Sequence, residues 1–252
     1  MMKIVLIFFT LTLLASANLF DRYSSFKKYT KEYSKEYESK TIEFYRFGIY
    51  LKNMITIEKL NSNPHDDAIY GETRFTDLTN SEAKALLGLD VPEKPVYNFV
   101  KNFTNDPDYK PKESTPDNWD WRDKNAVGPI RDQGSCGSCW SFSTAGNIES
   151  LNFLKKGGSF VPLSMQQLID CDISNYGCNG GWPYYSIDWI SKNGGLMKFD
   201  DYPLRKNYTG PCSFEEDKAE VKVKGYLNIS HDEEIIKDAL YETGPLSILL
   251  DF

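Results

Sequence analysis

The sequence predicts an α+β protein in which a helical N-terminal module leads, through a proline-rich stretch, to a second module that opens on a helix and closes on a strand. Three observations carry this. Ser/Thr-x-x-Glu/Gln capping boxes or their variants stand at Thr79-Asn80-Ser81-Glu82, Ser164-Met165-Gln166-Gln167 and Ser230-His231-Asp232-Glu233, each before apolar residues at helical spacing. Five of the twelve prolines fall within residues 90–118, where no periodicity is visible. Leu246, Ile248 and Leu250 alternate with residues of the other face, as a half-buried strand does.

Taken in order, residues 1–17 read as a signal peptide: Lys3 precedes the apolar run Ile4 to Leu14, and Ala15-Ser16-Ala17 supplies the small residues of a cleavage site. The run is too short for a membrane span, which needs about 20 apolar residues, and no other candidate follows. From Asp21 to Asn63 the spacing of Phe44, Phe47, Leu51, Met54 and Ile57/Glu58 predicts two helices, stopped by Asn63-Pro64. A short extended stretch, Tyr70 to Phe75, precedes the helix that Thr79 opens and Gly88 ends. Beyond the proline-rich linker, Trp140, Ala145, Ile148, Leu151 and Leu154 predict a helix that starts at or near Cys139 and stops at Gly157-Gly158. The division is therefore 1–17, 18–113 and 114–252.

The chain carries 14% aromatic residues and a net charge of −7, which arises wholly after residue 113 and is scattered rather than blocked. That balance gives no reason to expect nucleic acid as a partner. A secretory destination makes disulfides plausible among five cysteines, an odd count that leaves one thiol over. The sequons at Asn102, Asn207 and Asn228 fit the same compartment as glycosylation sites.

Four readings compete for Cys136-Gly137-Ser138-Cys139. A zinc site wants a second close pair, and Cys171, Cys178 and Cys212 are spread out. A thioredoxin-like dithiol wants a preceding strand of a βαβ unit, and none is visible before Gln133. Five purely structural cysteines would leave one thiol without purpose. The fourth reading sets a structural cysteine beside a reactive one: Cys139 at a helix N-terminus feels the positive end of the dipole, which favours the thiolate. Attack on a peptide carbonyl creates an oxyanion, and the Gln133 side chain with the Cys139 backbone N–H could receive it.

The segment Gln133-Gly134-Ser135-Cys136-Gly137-Ser138-Cys139-Trp140 resembles the nucleophile segment of papain and the cathepsins. The resemblance extends to Pro116, Asp120-Trp121-Arg122, Leu163-Ser164 with Gln166-Gln167-Leu168, Asp170-Cys171, Gly177 to Gly181, Asn193 to Leu196, Tyr202-Pro203 and Gly244-Pro245. Upstream, Arg46, Tyr50, Asn53, Ile57 and Asn61 are similar to the interrupted helical motif of cathepsin L-type propeptides, followed by Gly71, Phe75 and Asp77. Ile42, Thr73 and Met165 depart from the family pattern, where an acid, Asn and Glu stand.

The resemblance implies a two-lobe papain-like fold with a nearly complete helical lobe and a β-barrel lobe only begun, preceded by a helical inhibitory propeptide over 18–113. It implies a thiol peptidase made as an inhibited zymogen, with Cys139 as nucleophile and Gln133 at the oxyanion. Gly137, Trp140, Asn179, Gly180 and Gly181 would bind substrate; Cys136–Cys178 and Cys171–Cys212 would be the disulfides. Polypeptide substrates and the chain's own propeptide are the implied partners of a monomer without metal or cofactor, secreted or held in a lysosome or vacuole. The family's catalytic His and Asn stand about 130–150 residues after the cysteine, near positions 269–289. The chain has only His65 and His231, both read as surface residues, so it is expected to be inactive as given. A non-enzymatic relic or a propeptide-type inhibitor is the alternative.

Overall fold

The structure, a computed structural model, describes residues 19–87, 115–205 and 208–249. The expected signal peptide, most of the linker, Asn102 and Asn207 lie outside them. The chain divides into two compact units, Met1–Lys84 and Ala85–Phe252.

In the first unit, residues 19–32 form helix α1 and Lys40–Asn61 form α2. Ser39 caps α2 by accepting the N–H of Ile42, Glu43 and Lys59 complement the dipole at its two ends, and the chain leaves the helix at Ser62, two residues before Pro64. Of the stripe read from sequence, Phe47 is buried and Leu51 and Met54 are partly buried against the same core, whereas Phe44 is 60% exposed and Glu43 and Tyr50 are buried beside Phe47. Phe47 and Tyr50 pack on Phe26 and Tyr29 of α1, with ring centroids 5.0–5.3 Å apart for Phe26–Phe47, Phe26–Tyr50 and Tyr29–Tyr50. An amphipathicity template finds Phe47, Leu51 and Met54 but misses Glu43 and Tyr50, because a carboxylate and a phenol do not register as core residues.

The polar motif residues on α2 each hold the segment that follows. Arg46 makes two parallel bonds to Glu82 (2.8 and 2.9 Å) and a third to the carbonyl of Asp77. Asn53 donates to the carbonyls of Thr76 and Leu78, and Asn61 pairs with both backbone groups of Tyr70. These bonds stand in for a strand ladder, and Tyr70 to Phe75 forms no sheet. Asp77 is buried and accepts from Tyr29, Lys35 and Tyr37, each at 2.8 Å. Burial alone would raise its pKa; the three donors outweigh it and hold it below the ordinary value. Thr79 and Glu82 close the capping box that opens α3, Asn80–Leu87.

Bonds from Lys40, Tyr23 and Lys27 hold the Glu43 carboxyl at about 2, against an ordinary 4.5. Arg46 and the Thr79 N–H do the same for Glu82, again at about 2. A carboxylate depressed in the folded state stabilises above its unfolded pKa, and that stability is lost as pH falls toward the folded one. The first unit should therefore weaken between about pH 4.5 and 2. The urea midpoint by circular dichroism should fall over that window, and less steeply in an E43Q/E82Q double variant; an equal fall in both would refute the assignment.

In the second unit a 3₁₀ turn, Trp121–Lys124, precedes α4, Cys139–Lys156, which ends at Gly157 with φ +66°. Helices α5, Met165–Cys171, and α6, Pro183–Lys192, pack against α4. The core joins Trp140, Ala145 and Ile148 of α4 to Leu163, Leu168 and Ile190. Ser164 caps α5 by accepting the Gln167 N–H, but the Gln167 side chain turns inward to Gly195 and Met197 instead of completing the box. Strand β1, Leu196–Met197, pairs antiparallel with β2, Ala219–Val221. Gly195 before it has φ +124° and lies so close to Val221 that a Cβ would meet that carbonyl at 2.5 Å.

Helix α7, Glu233–Thr243, is capped by Asp232, whose carboxylate accepts from Glu234 and Ile235, and not by Ser230. A carboxylate at the positive helix end prevails over the hydroxyl two residues earlier. Residues 244–249 form no strand; Ser247 instead donates to the Ser143 carbonyl, and Ile248 is 63% exposed. Alternation marks a strand only where a ladder partner satisfies the backbone, and none is present among the described residues.

Candidate active site

Cys139 is the first residue of α4 and belongs to neither disulfide. The loop before it is held from several sides. Gly134 turns with φ +68°, its N–H on the Asp132 carboxylate at 2.9 Å. The Cys136–Cys178 disulfide and a 2.8 Å bond from the Gly137 N–H to the Cys178 carbonyl join the loop to residues 176–181, where Gly137 and Asn179 form a parallel bridge. The second disulfide, Cys171–Cys212, ties the end of α5 to the 208–214 stretch.

Ser138 sits at the N-cap, yet its hydroxyl turns back toward Cys136 and caps nothing. The first N–H groups of α4 are thus left facing the thiol. Burial pushes the Cys139 thiol up, and the N–H groups of Trp140 and Cys139 pull it partly back. The helix terminus favours the thiolate, as expected from sequence, but does not by itself outweigh burial. An opposite charge near the sulfur would reverse the balance. In the chain as described, iodoacetamide alkylation of Cys139 should accelerate with pH beyond the ordinary thiol value of 9.0. A rate profile with its midpoint well below that value, read by mass spectrometry, would show that the dipole outweighs burial.

The Gln133 amide donates to two carbonyls, those of Cys136 and Leu86, each at 2.9 Å. The first bond orients the side chain. The second shows that the amide can receive a peptide carbonyl oxygen while so oriented. Leu86 belongs to the second compact unit.

Of the remaining candidates, Trp140 is 1% exposed, with its indole N–H on the Gly177 carbonyl at 3.0 Å, so its ring supports the site from within the core. Asn179 is exposed. Gly180 and Gly181 are buried; Gly180 has φ +115°, and its carbonyl accepts the Tyr176 N–H. A Cβ on Gly181 would lie 2.4 Å from Asn175 Oδ1 and 2.8 Å from the Trp140 ring. Asn175 is itself locked: it donates to Asp172 at 2.7 Å and accepts from the Trp182 N–H at 2.7 Å, while Ser186 donates to the same carboxylate at 2.6 Å. This buried network was not read from the sequence, where small polar residues resemble an ordinary loop. His65 and His231 are both exposed, and so is Asn228.

Residues 115–252 match the papain family cysteine protease profile. The chain belongs to the papain family of cysteine proteases. This papain-family chain also carries, at residues 26–83, a match to the cathepsin propeptide inhibitor domain. It is 35% identical over 258 residues to digestive cysteine proteinase 1 of Homarus americanus, covering 99% of the chain and 76% of that protein. It is likewise 35% identical to cysteine proteinase 15A of Pisum sativum, covering 90% of the chain and 63% of the pea protein. The papain-family chain thus spans a little under two thirds of the length of such plant relatives. Among solved structures it is similar to the digestive procathepsin L2 proteinase of Tenebrio molitor larval midgut, with TM-score 0.80, 30% identity, and 88% and 73% of the two chains covered. The recombinant stem bromelain precursor gives TM-score 0.70 at 28% identity, over 88% and 71%. The fold is accordingly the papain-like α+β fold with a helical precursor unit.

Proposed function

We propose that the chain is the precursor form of a cysteine peptidase in which the Cys139 thiolate attacks the carbonyl carbon of a peptide bond. As the carbon–sulfur bond forms, the carbonyl π electrons pass to oxygen, and the resulting oxyanion is received by the Gln133 amide and the Cys139 backbone N–H. The observation that carries this reading is the Gln133 bond to a peptide carbonyl at 2.9 Å, in the loop that leads directly into the cysteine-bearing helix. Departure of the amine needs a general acid, a role worth about 10²–10⁴-fold that an imidazolium fills in this chemistry. Neither His65 nor His231 is assigned it. Water then hydrolyses the thioester and restores the thiol.

Gly137, Asn179 and Gly180 lie beside the cysteine loop through the 137–179 bridge, which favours them as backbone contacts for an extended substrate. Residues 18–113 act as the intramolecular inhibitor, a reading supported by the inhibitor-domain match over 26–83. No helix among the described residues is long and apolar enough to cross a membrane. With the N-terminal run, two disulfides and an exposed Asn228 sequon, this supports passage through the secretory pathway, with Asn228 as a glycosylation site. The test is to add residues 18–113, expressed alone, to a mature peptidase of the same family. Inhibition at micromolar concentration is expected. A segment that is helical by circular dichroism yet does not inhibit would overturn the inhibitor assignment.

A further inference from the structure

Gln133 lies on a loop and Cys139 on a helix, so an oxyanion site built from both needs the loop fixed to that helix at more than the point where they join. The disulfide and the Gly137 bond hold the loop on the cysteine side of Gln133. On its other side stands Arg131, two residues earlier, whose Nη1 meets Glu149 Oε1 at 2.8 Å. Glu149 lies on α4 itself, ten residues after Cys139 and so about 15 Å along the same rigid helix. Its side chain is 2% exposed and that of Arg131 18%. The same Oε1 accepts the Leu163 N–H at 2.6 Å, and the guanidinium lies over the Phe199 ring at 5.5 Å. Burial pushes the Glu149 carboxyl up, opposed by the Leu163 N–H and by Arg131. Two groups enclosed this way have little freedom to part, because either one alone would be a buried, uncompensated charge.

We propose that Arg131 and Glu149 are positioning residues for the oxyanion site, a buried bracket that fixes the Gln133 amide relative to Cys139 by tying both to α4. This rests on the reading of Gln133 and Cys139 given above. The loop from 131 to 138 is then closed into a ring through Arg131, Glu149, α4 and Cys139, with Gln133 held between two anchored ends. Removing the bracket frees one end only, so the amide should lose order while the rest of α4 keeps it.

The experiment follows hydrogen exchange of the Gln133 side-chain amide by ¹⁵N NMR in the intact chain, beside the backbone amides of Ala145 and Ile148. In E149Q and R131M the Gln133 amide should exchange about tenfold faster, the loss of roughly one net hydrogen bond, while Ala145 and Ile148 change by less than about threefold. R131K, which keeps a charged donor, should stay within about threefold of the wild type. Equal acceleration of all three amides would show a merely structural ion pair and overturn the proposal, as would an unmoved Gln133 amide. The underlying reading is checked separately, by the affinity of the processed protein for a peptidyl aldehyde, whose adduct with Cys139 presents an oxyanion-like oxygen. If Q133A binds it as tightly as the wild type, the oxyanion assignment falls and the bracket with it; if Q133A weakens it while E149Q leaves the NMR signal unmoved, only the bracket falls.

Discussion

In a processed peptidase that carries these residues together with the general acid the proposed chemistry requires, Cys139→Ala is expected to abolish peptide hydrolysis, and Gln133→Ala to lower kcat by about 10²–10³-fold with KM little changed. The split follows from what each group does. In the proposed reaction the thiol forms the covalent bond, and the neighbouring Ser138 is no substitute, being fully buried with its hydroxyl on the Cys136 carbonyl. In that reaction the amide would act on charge that exists only after attack, so its loss should appear in kcat and spare ground-state binding. Gln133 also secures its own loop through the Cys136 carbonyl, and Gln133→Glu serves as the control of similar shape. A carboxylate there would repel the oxyanion, so it should be at least as damaging as alanine. Steady-state kinetics with a fluorogenic dipeptidyl substrate decide the matter. A Gln133→Ala enzyme within threefold of wild-type kcat would remove this residue from the mechanism.

Much of this site was legible because its chemistry is local in sequence. Cys139 at a helix start could be read from the apolar spacing of Trp140, Ala145 and Ile148, together with Gly157 as the stop. What escaped was whatever depends on residues distant in the chain. Helix α6 begins with Pro183 at its first turn, a usable signal, but its aromatic and polar composition hid the apolar face that Ile190 buries. The Arg131–Glu149 pair spans 18 residues, and neither partner differs in sequence from a surface charge. For the Cys139 thiol, the favourable helix terminus was visible in sequence, whereas the burial that outweighs it is made by tertiary packing. In the first unit, Arg46, Asn53 and Asn61 were recognisable as a motif. Their physical role, replacing a strand ladder for residues 70–82, needed the partners to be seen.

Trp140→Ala is expected to cost about 3–5 kcal/mol, the largest loss of stability from any one side chain near the site. The indole is almost fully buried where α4 meets the 172–182 loop, and its removal leaves both a cavity and a Gly177 carbonyl without its donor. For a chain of this size such a loss should lower the melting temperature by roughly 10 °C. Gly181→Ala probes the same contact from the opposite side. Its new methyl would fall 2.4 Å from Asn175 Oδ1 and 2.8 Å from the Trp140 ring, neither of them the free end of a flexible chain. Asn175 cannot retreat without breaking its bonds to Asp172 and to the Trp182 N–H. Overpacking of this kind typically costs about 1–3 kcal/mol. The two variants should be less than additive when combined, because alanine at 140 removes half of the obstruction that the 181 methyl meets. Thermal unfolding of the two single variants and the double variant measures this directly. If Gly181→Ala melts like the wild type and instead raises KM alone, the glycine serves the approach of substrate and not the packing of Trp140.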